Sequence, residues 1–335
     1  MTKAETETTK PVKRLGSLAY YKTGGTCARL YLPKSIEEIQ SAVREIHSLS
    51  QPFFVLGGGT NSLVCDDTWP GAVIALTHMG GLHALDKNGG IFCEAGVENS
   101  EFARFAVDHG LTGAGWMNRL PGQIGGTVRM NARCYGGEIS QIVKKITCVD
   151  MKGEVVVHDE PAKVFRGYKD TSFMQTGEII AAVEIKLEPG DTAATQELMK
   201  FCEDDRVLKG QFTHPSCGCV FKNDYTVGVP SGMLLEATGI KSLTRGSAAI
   251  SPQHANFVFN LHGAASSRDI VELTLMMREA VYTRVGVWLE YEMEILGELP
   301  DDLARSLREV RARKPETPEL AVLRAKFSTK PASKP

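Results

Sequence analysis

The sequence has no apolar run that approaches the roughly 20 residues a helix needs to cross a bilayer. Its opening segment, MTKAETETTKPVKRLG, is polar and lacks the apolar core of a secretory signal. We therefore expect a cytoplasmic protein that does not insert into membranes.

A strong excess of one charge is missing as well, because the formal net charge of the 335 residues is −2. Proteins that hold nucleic acid by its phosphates carry basic surfaces, so we expect no nucleic-acid partner. The length suits two or three domains.

Cysteine pairs with CxxC spacing are absent, although the chain contains 8 cysteines. Scattered cysteines in a chain of this length indicate neither a disulfide framework nor a zinc site. Cys217 and Cys219 form a C-G-C segment, which is too tight for the usual spacing of zinc ligands. The sequence therefore predicts no bound metal.

Two further signals are missing, namely the G-x-G-x-x-G dinucleotide fingerprint and any internal repeat. Helical and strand patterns are mixed without β-α-β alternation, which predicts the α+β class. Helices are predicted from an N-cap at Ser35 through Ile46, and at 100–109, 195–207, 267–285 and 302–313. Strands are predicted at 52–56, 72–76, 90–96, 146–150, 154–157, 179–187 and 288–295, with a long structured loop at 113–137.

The first glycine-rich segment, GGGTNS, directly follows a predicted buried strand. Glycines let backbone amides approach a ligand closely, and successive amides form a nest that suits a pyrophosphate. A plain turn is the competing interpretation, and the glycine triplet alone does not decide between the two. The candidate cofactor-binding residues here are Gly57, Gly58, Gly59, Thr60, Asn61 and Ser62.

A second glycine cluster lies about 60 residues further on, in the segment NRLPGQIGGTVRMNA. Two such clusters suggest two walls around one extended cofactor. The competing interpretation is a mobile surface loop, which the interleaved apolar residues disfavour. The candidate cofactor-binding residues here are Leu120, Pro121, Gly122, Ile124, Gly125, Gly126 and Asn131.

Six segments in sequence order carry a resemblance to a known family. They are VLGGGTNSLV, LPGQIGGTVRMNARCYGGEIS, GYKDTSF, PSCGCVFKN, SGMLLEATGIKSLTRGSAAISPQHANFVFN and GVWLEYEMEILGE. The glycine clusters resemble an FAD-binding domain of the vanillyl-alcohol-oxidase (PCMH) type. From about Leu18 to Glu298 the chain is similar to UDP-N-acetylenolpyruvoylglucosamine reductases. Only about 50 residues separate Tyr168 from Cys219, as in the shorter subtype without the inserted tyrosine loop.

The resemblance implies an α+β fold with a two-part FAD-binding domain and a smaller substrate-binding domain. We expect a disordered leader at 1–15 and an FAD-binding domain at 16–189, with subdomains at roughly 16–78 and 79–189. A substrate-binding domain would follow at 190–298, and a charged tail at 299–335.

The activity implied by the resemblance is the reduction of UDP-N-acetylglucosamine enolpyruvate to UDP-N-acetylmuramate, a step of peptidoglycan synthesis. The implied cofactors are FAD and NADPH, and the partner is a small-molecule UDP-sugar enolpyruvyl ether. We expect the enzyme to act as a monomer.

Three catalytic residues follow from the resemblance. Cys219 stands where the family has a proton-donating serine, and a thiol with a pKa near 8.5 is a better acid than an alcohol. Glu292 matches the family's catalytic glutamate. Lys169 replaces the family's arginine, which keeps the charge but loses the planar fork. A structural cysteine at 219 and a merely solvated acidic face around Glu292 are the competing interpretations.

Substrate contacts are also implied by the matching motifs. The pair Arg206 and Lys209 would suit an anionic UDP-sugar, whereas a lone histidine such as His254 is equally compatible with a structural role. Arg133 and Cys134 depart from the family's pattern for no physical reason that the sequence offers. The candidate substrate-binding residues are Tyr168, Arg206, Lys209, Lys222, Asn223 and His254.

Two other functions remain open on the sequence alone. The departures at Lys169 and Cys219 are compatible with another FAD-dependent oxidoreductase of the same superfamily that acts on a different small molecule. The third candidate is a non-catalytic flavin- or nucleotide-sugar-binding protein, which the retained Glu292 and the acid at 219 disfavour.

Overall fold

The computed structural model describes residues 14–328. Within that range the chain forms two compact units. Residues 26–58 and 68–205 belong to the first unit, and residues 15–25, 59–67 and 206–328 belong to the second. The predicted disordered leader falls mainly on 1–13, outside the described residues. Its last residue, Leu15, is fully buried and begins a 3₁₀-helix, so the prediction is wrong at that end.

Nine α-helices occur among residues 14–328. They are α1 Ile36–Ser48, α2 Asn99–Asp108, α3 Ile124–Arg129, α4 Phe173–Thr176, α5 Ala193–Leu208, α6 Ser231–Ala237, α7 Ser267–Val285, α8 Asp301–Arg308 and α9 Pro318–Ser328. Short 3₁₀-helices lie at Leu15–Ser17, Gly115–Met117, Ile139–Gln141, Pro161–Lys163, Tyr225–Val227, Ile240–Ser242 and Leu261–Gly263.

Most of the strands are short. They are β1 Cys27–Tyr31, β2 Phe53–Leu56, β3 Ser62–Val64, β4 Trp69–Ala75, β5 Leu82–Ala84, β6 Gly90–Glu94, β7 Leu111–Thr112, β8 Arg133–Cys134, β9 Gly137–Glu138, β10 Val143–Val149, β11 Val155–His158, β12 Phe165–Gly167, β13 Asp170–Thr171, β14 Ile179–Lys186, β15 Glu188–Pro189, β16 Thr244–Arg245, β17 Ala248–Ile250, β18 Val258–Asn260 and β19 Glu294–Leu296.

The first unit is built on two main sheets. Strands β11-β10-β14-β6-β5 form an antiparallel sheet, and β1-β4-β2 form a parallel one. In β14 five successive residues, Ile179–Val183, are buried, which explains why this strand reads as a continuous apolar run. Helices α2 and α3 share a core with the five-stranded sheet through Phe102 and Val128. This packing brings the second glycine-rich segment onto a rigid sheet.

The second unit is organised around α7. A capping box starts this helix, because Ser266 Oγ accepts from Asp269 N while the Asp269 carboxylate accepts from Ser266 N. Gly286, with φ +73°, ends it. The apolar face predicted for the helix, which includes Ile270 and Met277, is buried in the core against the sheet β16-β17-β18. Strand β3 pairs in parallel with β19 in the same unit.

The helix predictions at α1, α2, α5 and α7 are confirmed, including the N-cap at Ser35, whose Oγ accepts from Glu38 N. Three predictions are wrong. The loop predicted at 113–137 contains α3, which its glycines concealed. The strand predicted at 288–295 is regular only at β19, because 290–293 bond irregularly to residues 220–222. The helix predicted at 302–313 ends at Arg308, where Glu309 turns to an extended conformation.

The two units do not follow the contiguous domains expected from the sequence, 16–189 and 190–298. Residues 15–25 and 59–67 lie early in the chain but belong with 206–328. The GGGTNS segment therefore crosses from the first unit to the second between Gly58 and Gly59. The sequence does not reveal this crossing, because the segments 15–25 and 59–67 are each short and look like the residues around them.

Candidate functional site

The two glycine-rich segments meet within the first unit at Gly57 and Gln123. A Cβ built on Gly57 would lie 3.4 Å from Gln123 Oε1. That oxygen is buried and accepts no hydrogen bond from the described residues. Gln123 Nε2 donates to Glu98 Oε1 at 3.5 Å, so the amide is turned with its oxygen toward the glycine. Burial raises the pKa of that glutamate.

This arrangement fits the group that the sequence predicts. A buried acceptor without a donor costs free energy, and a flavin ring or an adenine carries N–H groups that would satisfy it. A glycine beside the acceptor leaves room for a flat group to approach. The first unit therefore has a place suited to part of FAD, formed by Gly57 and by Gln123 of the second glycine cluster.

The second glycine cluster is fixed by packing and by hydrogen bonds. Gly125 N donates to Ala95 O at 2.9 Å. A Cβ on Gly125 would come 2.8 Å from the Ala95 Cβ, so only glycine fits there. Buried Asn99 donates through Nδ2 to Leu120 O and accepts through Oδ1 from Thr127 Oγ1. The segment is therefore rigid, unlike the mobile loop of the competing interpretation.

Asn131 connects this cluster to the G-Y-K-D hairpin. Its Nδ2 donates to Gly167 O at 2.9 Å, and Thr171 Oγ1 donates to Arg129 O at 2.6 Å. Tyr168 and Lys169 form the turn between β12 and β13, and Lys169 has a left-handed backbone with φ +55°. Hydrogen bonds to β12 and from β13 thus hold the turn at both of its ends.

The remaining part of the first glycine segment lies in the second unit. Gly59 has φ +63°, and a Cβ there would come 2.8 Å from Ala19 Cα, so the position requires glycine. Asn61 Nδ2 donates to Glu292 O at 2.9 Å, and Asn61 O accepts from Glu294 N at 2.9 Å. Ser62 begins β3 opposite Glu294. This segment therefore supports the chain that carries Glu292.

Cys219 and Glu292 lie on adjacent chain segments. Glu292 N donates to Val220 O at 2.8 Å, directly beside Cys219. Cys219 also forms an isolated antiparallel bridge with Phe257. Two of the three predicted catalytic residues are thus brought together by backbone hydrogen bonds within one unit.

The two thiols of the C-G-C segment differ in their surroundings. Cys217 is buried, and burial together with the nearby charges of Cys219 and Glu292 raises its pKa well above the usual range. Cys219 is only partly buried. Cys217 is therefore the structural thiol at neutral pH, and Cys219 is the one that a ligand can reach.

Two predicted substrate contacts also have structural partners. Lys222 Nζ pairs with Glu290 Oε1 at 2.5 Å, and the Glu290 side chain is 75% exposed. Asn223 Oδ1 accepts from Ser231 N at 2.9 Å, at the first residue of α6. Of the acidic residues around Glu292, Glu290 is thus engaged with a lysine at the surface.

His254 is electrically neutral at physiological pH. Burial and the nearby Lys209 lower the pKa of His254 to about 4. Its ring stacks on Phe257 with centroids 4.2 Å apart. Asn256 N donates to His254 Nδ1 at 3.3 Å, so the neutral ring carries its proton on Nε2. His254 can therefore donate one hydrogen bond to a ligand.

Arg206 and Lys209 lie at the C-terminal end of α5. Arg206 is buried and donates to Gln211 Oε1 at 3.1 Å, whereas Lys209 is exposed. The two unusual residues of the second glycine segment have local partners: Arg133 Nε lies 4.0 Å from Glu138 Oε2, and Cys134 Sγ donates to Trp116 O at 3.6 Å.

Sequence reasoning missed Gln123 and Asn256, because a lone amide side chain carries no pattern. It also missed a cluster of Cys148, His158 and Glu178 on β10, β11 and the start of β14. His158 Nε2 lies 2.8 Å from Glu178 Oε2, and burial raises the pKa of Cys148, so this cluster is a hydrogen-bonded histidine and glutamate beside a protonated thiol.

Within residues 14–328 no helix combines the length and the apolar character that crossing a membrane requires.

Comparisons with known proteins match both parts of the chain. Residues 27–159 match the FAD binding domain family. Residues 210–296 match the family described as UDP-N-acetylenolpyruvoylglucosamine reductase, C-terminal domain.

Full-length relatives agree with these matches. A UDP-N-acetylenolpyruvoylglucosamine reductase from Borreliella burgdorferi is 33% identical over 85% of this chain and 93% of its own length. One from Alkalilimnicola ehrlichii is 37% identical over 83% of this chain and 91% of its own. The crystal structure of the enzyme from Thermus caldophilus superposes with a TM-score of 0.72 and 29% identity, over 86% of this chain and 99% of that one.

Proposed function

The chain belongs to the UDP-N-acetylenolpyruvoylglucosamine reductase family, and on that premise we propose which of its residues carry out the reaction. It reduces UDP-N-acetylglucosamine enolpyruvate to UDP-N-acetylmuramate in peptidoglycan synthesis, with FAD and NADPH as cofactors. When bound, FAD would supply the hydride that NADPH provides for the vinyl group of the substrate. The protein must then deliver one proton to the adjacent carbon and stabilise the enolate-like charge that develops.

Cys219 donates that proton in this proposal. The observation that carries it is the 2.8 Å hydrogen bond from Glu292 N to Val220 O, which brings the two chain segments together. The thiol gives up its proton to carbon and recovers one from solvent before the next turnover. A partly exposed thiol suits this exchange, whereas the buried Cys217 does not.

Glu292 and Lys169 act on the developing charge. The Glu292 carboxyl is held on a backbone fixed at its N–H by Val220 and at its carbonyl by Asn61. Lys169 supplies a positive charge from the two-residue turn between β12 and β13. A lysine acts there as a point charge, because it lacks the bidentate fork of arginine.

The cofactor and the substrate are assigned to separate residues. We assign FAD binding to the two glycine-rich segments, at 57–62 and 120–131, with Gln123 added for its buried acceptor. Substrate binding is assigned to Tyr168, Arg206, Lys209, Lys222, Asn223 and His254. The division into an FAD-binding domain at 16–189 and a substrate-binding domain at 190–298 stays a prediction.

Location and assembly belong to the same proposal. NADPH and UDP-sugars are cytoplasmic metabolites, so we propose that the enzyme works in the cytoplasm. We also propose that it works as a monomer, which gel filtration of the holoenzyme tests.

A steady-state assay tests the assignment of Glu292. We expect the flavin-loaded wild type to turn NADPH over continuously only when the enolpyruvyl UDP-sugar is present. Glu292→Gln should keep its flavin absorbance but lose about 10²–10⁴-fold in kcat, the usual contribution of a positioned acid–base group.

The matched control is Glu316→Gln, which removes an exposed glutamate paired with Arg324 in the same unit. It should retain wild-type kcat. Equal kcat values for the wild type and Glu292→Gln would remove Glu292 from the reaction.

A further inference from the structure

Asn256 is a buried amide that bonds to the chain beside Cys219. It is 1% exposed. Its Oδ1 accepts from Phe221 N at 3.0 Å, and its Nδ2 donates to Phe221 O at 2.8 Å. Its own carbonyl accepts from Val220 N at 2.9 Å. Three hydrogen bonds therefore join one residue to the two that follow Cys219.

The paired side-chain bonds replace a missing strand ladder. The amide of Asn256 presents one donor and one acceptor to the N–H and the C=O of Phe221, as a peptide group of a neighbouring strand would. Regular pairing is absent at this place in the described chain, where Cys219 makes only an isolated bridge to Phe257. The side chain thus adds two hydrogen bonds to a segment that backbone bonds hold only irregularly.

The same segment determines where the two catalytic groups lie. Val220, which donates to Asn256 O, also accepts from Glu292 N at 2.8 Å. Asn256 is therefore bonded to Val220 and to Phe221, and Val220 is in turn bonded to Glu292. On its other side its N–H donates to His254 Nδ1, a proposed substrate contact.

We propose that Asn256 is a positioning residue that sets the approach of the Cys219 thiol to the substrate carbon. This inference rests on the proposed role of Cys219. A displacement of about 1 Å at a reacting group lowers a rate by on the order of 10²-fold. We expect the loss of the donor to Phe221 O to loosen this segment and so to displace the thiol.

Asn256→Asp removes that donor while keeping the size of the side chain. Ionised aspartate offers only acceptors and repels Phe221 O, whereas protonated aspartic acid again has one donor and one acceptor. Burial raises the pKa of a carboxyl group. The reoxidation rate of the variant should therefore rise toward the wild-type rate as the pH falls. A variant that had only lost side-chain packing would not recover in this way.

Asn260→Asp is the matched control. Asn260 is also fully buried in the second unit, but its side chain donates to Tyr21 O and accepts from Ala265 N rather than bonding to the residues that follow Cys219. It makes the same number of side-chain bonds and should lose comparable stability. Melting temperatures of both variants establish that comparison.

Two readouts are taken on the holoenzymes. One is the rate at which iodoacetamide alkylates Cys219 as a function of pH, followed by peptide mass spectrometry. The other is the anaerobic rate at which the enolpyruvyl UDP-sugar reoxidises the NADPH-reduced flavin. Flavin reduction by NADPH alone serves as the internal reference, because it does not use the thiol.

We expect Asn256→Asp at neutral pH to slow substrate-driven reoxidation by on the order of 10²-fold relative to Asn260→Asp. Its Cys219 alkylation profile should shift, and NADPH reduction should match the control. If Asn256→Asp does not fold, Asn256→Leu is measured in its place, with the same expectation but without recovery at low pH.

Equal reoxidation rates and equal alkylation profiles in the Asn256 and Asn260 variants would overturn the proposal. Cys219→Ala separates this outcome from a failure of the proposed function. If Cys219→Ala reoxidises at the wild-type rate, the proton donor itself is wrongly assigned. If Cys219→Ala is slow while Asn256→Asp is not, only the positioning role fails.

Discussion

At the scale of single residues, chemistry depends on surroundings that residue type does not reveal. Cys217 and Cys219 are the same residue type one glycine apart, and Gly218 between them has φ +72°. One thiol is buried with a raised pKa and the other is partly exposed. The motif points to position 219 as the proposed acid, and the fold shows that the neighbouring thiol has different surroundings.

Lys169 provides a residue-scale prediction. Lys169→Met should lower kcat by about 10²-fold, because it removes a charge that stabilises the developing anion, while flavin reduction by NADPH stays unchanged. Lys169→Arg should retain activity within about 3-fold, since the charge remains. Steady-state and stopped-flow rates check both expectations.

The control for this prediction is Lys163→Met, which removes an exposed lysine paired with Glu160 in the same unit. A Lys169→Met enzyme as active as Lys163→Met would show that the turn carries no catalytic charge.

His254 predicts how stability depends on pH. Its pKa is about 4 in the folded protein, below the ordinary value of 6.5. Between these values the unfolded chain binds a proton that the folded chain does not, so the free energy of unfolding falls as the pH drops from 6.5 to 4. The histidine accounts for at most about 3 kcal/mol of that fall.

Urea unfolding between pH 7 and pH 4 measures this effect. His254→Gln should flatten the dependence by the stated amount, whereas His47→Gln, at an exposed site on α1, should not. Parallel curves for the wild type and His254→Gln would show that the histidine does not titrate as its burial requires.

At the scale of elements, the sequence predicted those helices whose apolar residues recur at a regular spacing. Helices α1 and α7 were predictable because their apolar faces are regular and their caps are explicit. The segment 288–293 alternates in burial, with Leu289 and Met293 inside, yet forms no regular ladder. Its hydrogen bonds run to residues 220 and 222, a partner about 70 residues away that a local pattern cannot specify.

Local patterns also failed to predict the structure of the C-terminal region, because α9 lies where the sequence predicted a charged tail. Helix α8 is held by α7 through Arg278. This arginine is 2% exposed and donates to Ser306 O at 2.5 Å and to Leu307 O at 3.2 Å, the carbonyls at the end of α8. Its guanidinium stacks 4.2 Å from the Trp288 ring centroid.

Arg278 therefore provides an element-scale prediction. Arg278→Met should lower the free energy of unfolding by about 3 kcal/mol, because two partly buried carbonyls lose their buried donor and a cation–π contact is lost. It should also make residues 299–316 sensitive to limited proteolysis.

Arg268→Met is the control on the same helix. Arg268 pairs only at the surface with Glu272, at i,i+4, and such pairs contribute about 0.5 kcal/mol or less. Equal unfolding free energies for the two variants would show that the tail does not depend on the buried arginine.

At the scale of the whole molecule, the motifs predicted the family and its reaction, whereas the course of the chain was not predictable. The family was predictable because its motifs are residue types in a fixed order, and a single sequence shows that order. The membership of 15–25 and 59–67 in the second unit depends on long-range packing, such as Leu63 and Tyr21 in the core around α7. Those segments are too short to carry a periodic signal of their own.

The proposed function of the whole molecule depends on one claim. The thiol at position 219 donates the proton that completes a flavin-dependent reduction. An anaerobic single turnover tests it most directly. The holoenzyme is reduced with one equivalent of NADPH and mixed with the enolpyruvyl UDP-sugar, and flavin absorbance reports reoxidation. We predict that Cys219→Ala reduces normally but reoxidises about 10²–10⁴-fold more slowly than wild type, while Cys219→Ser retains much of the rate. Identical reoxidation by Cys219→Ala and wild type would contradict the account.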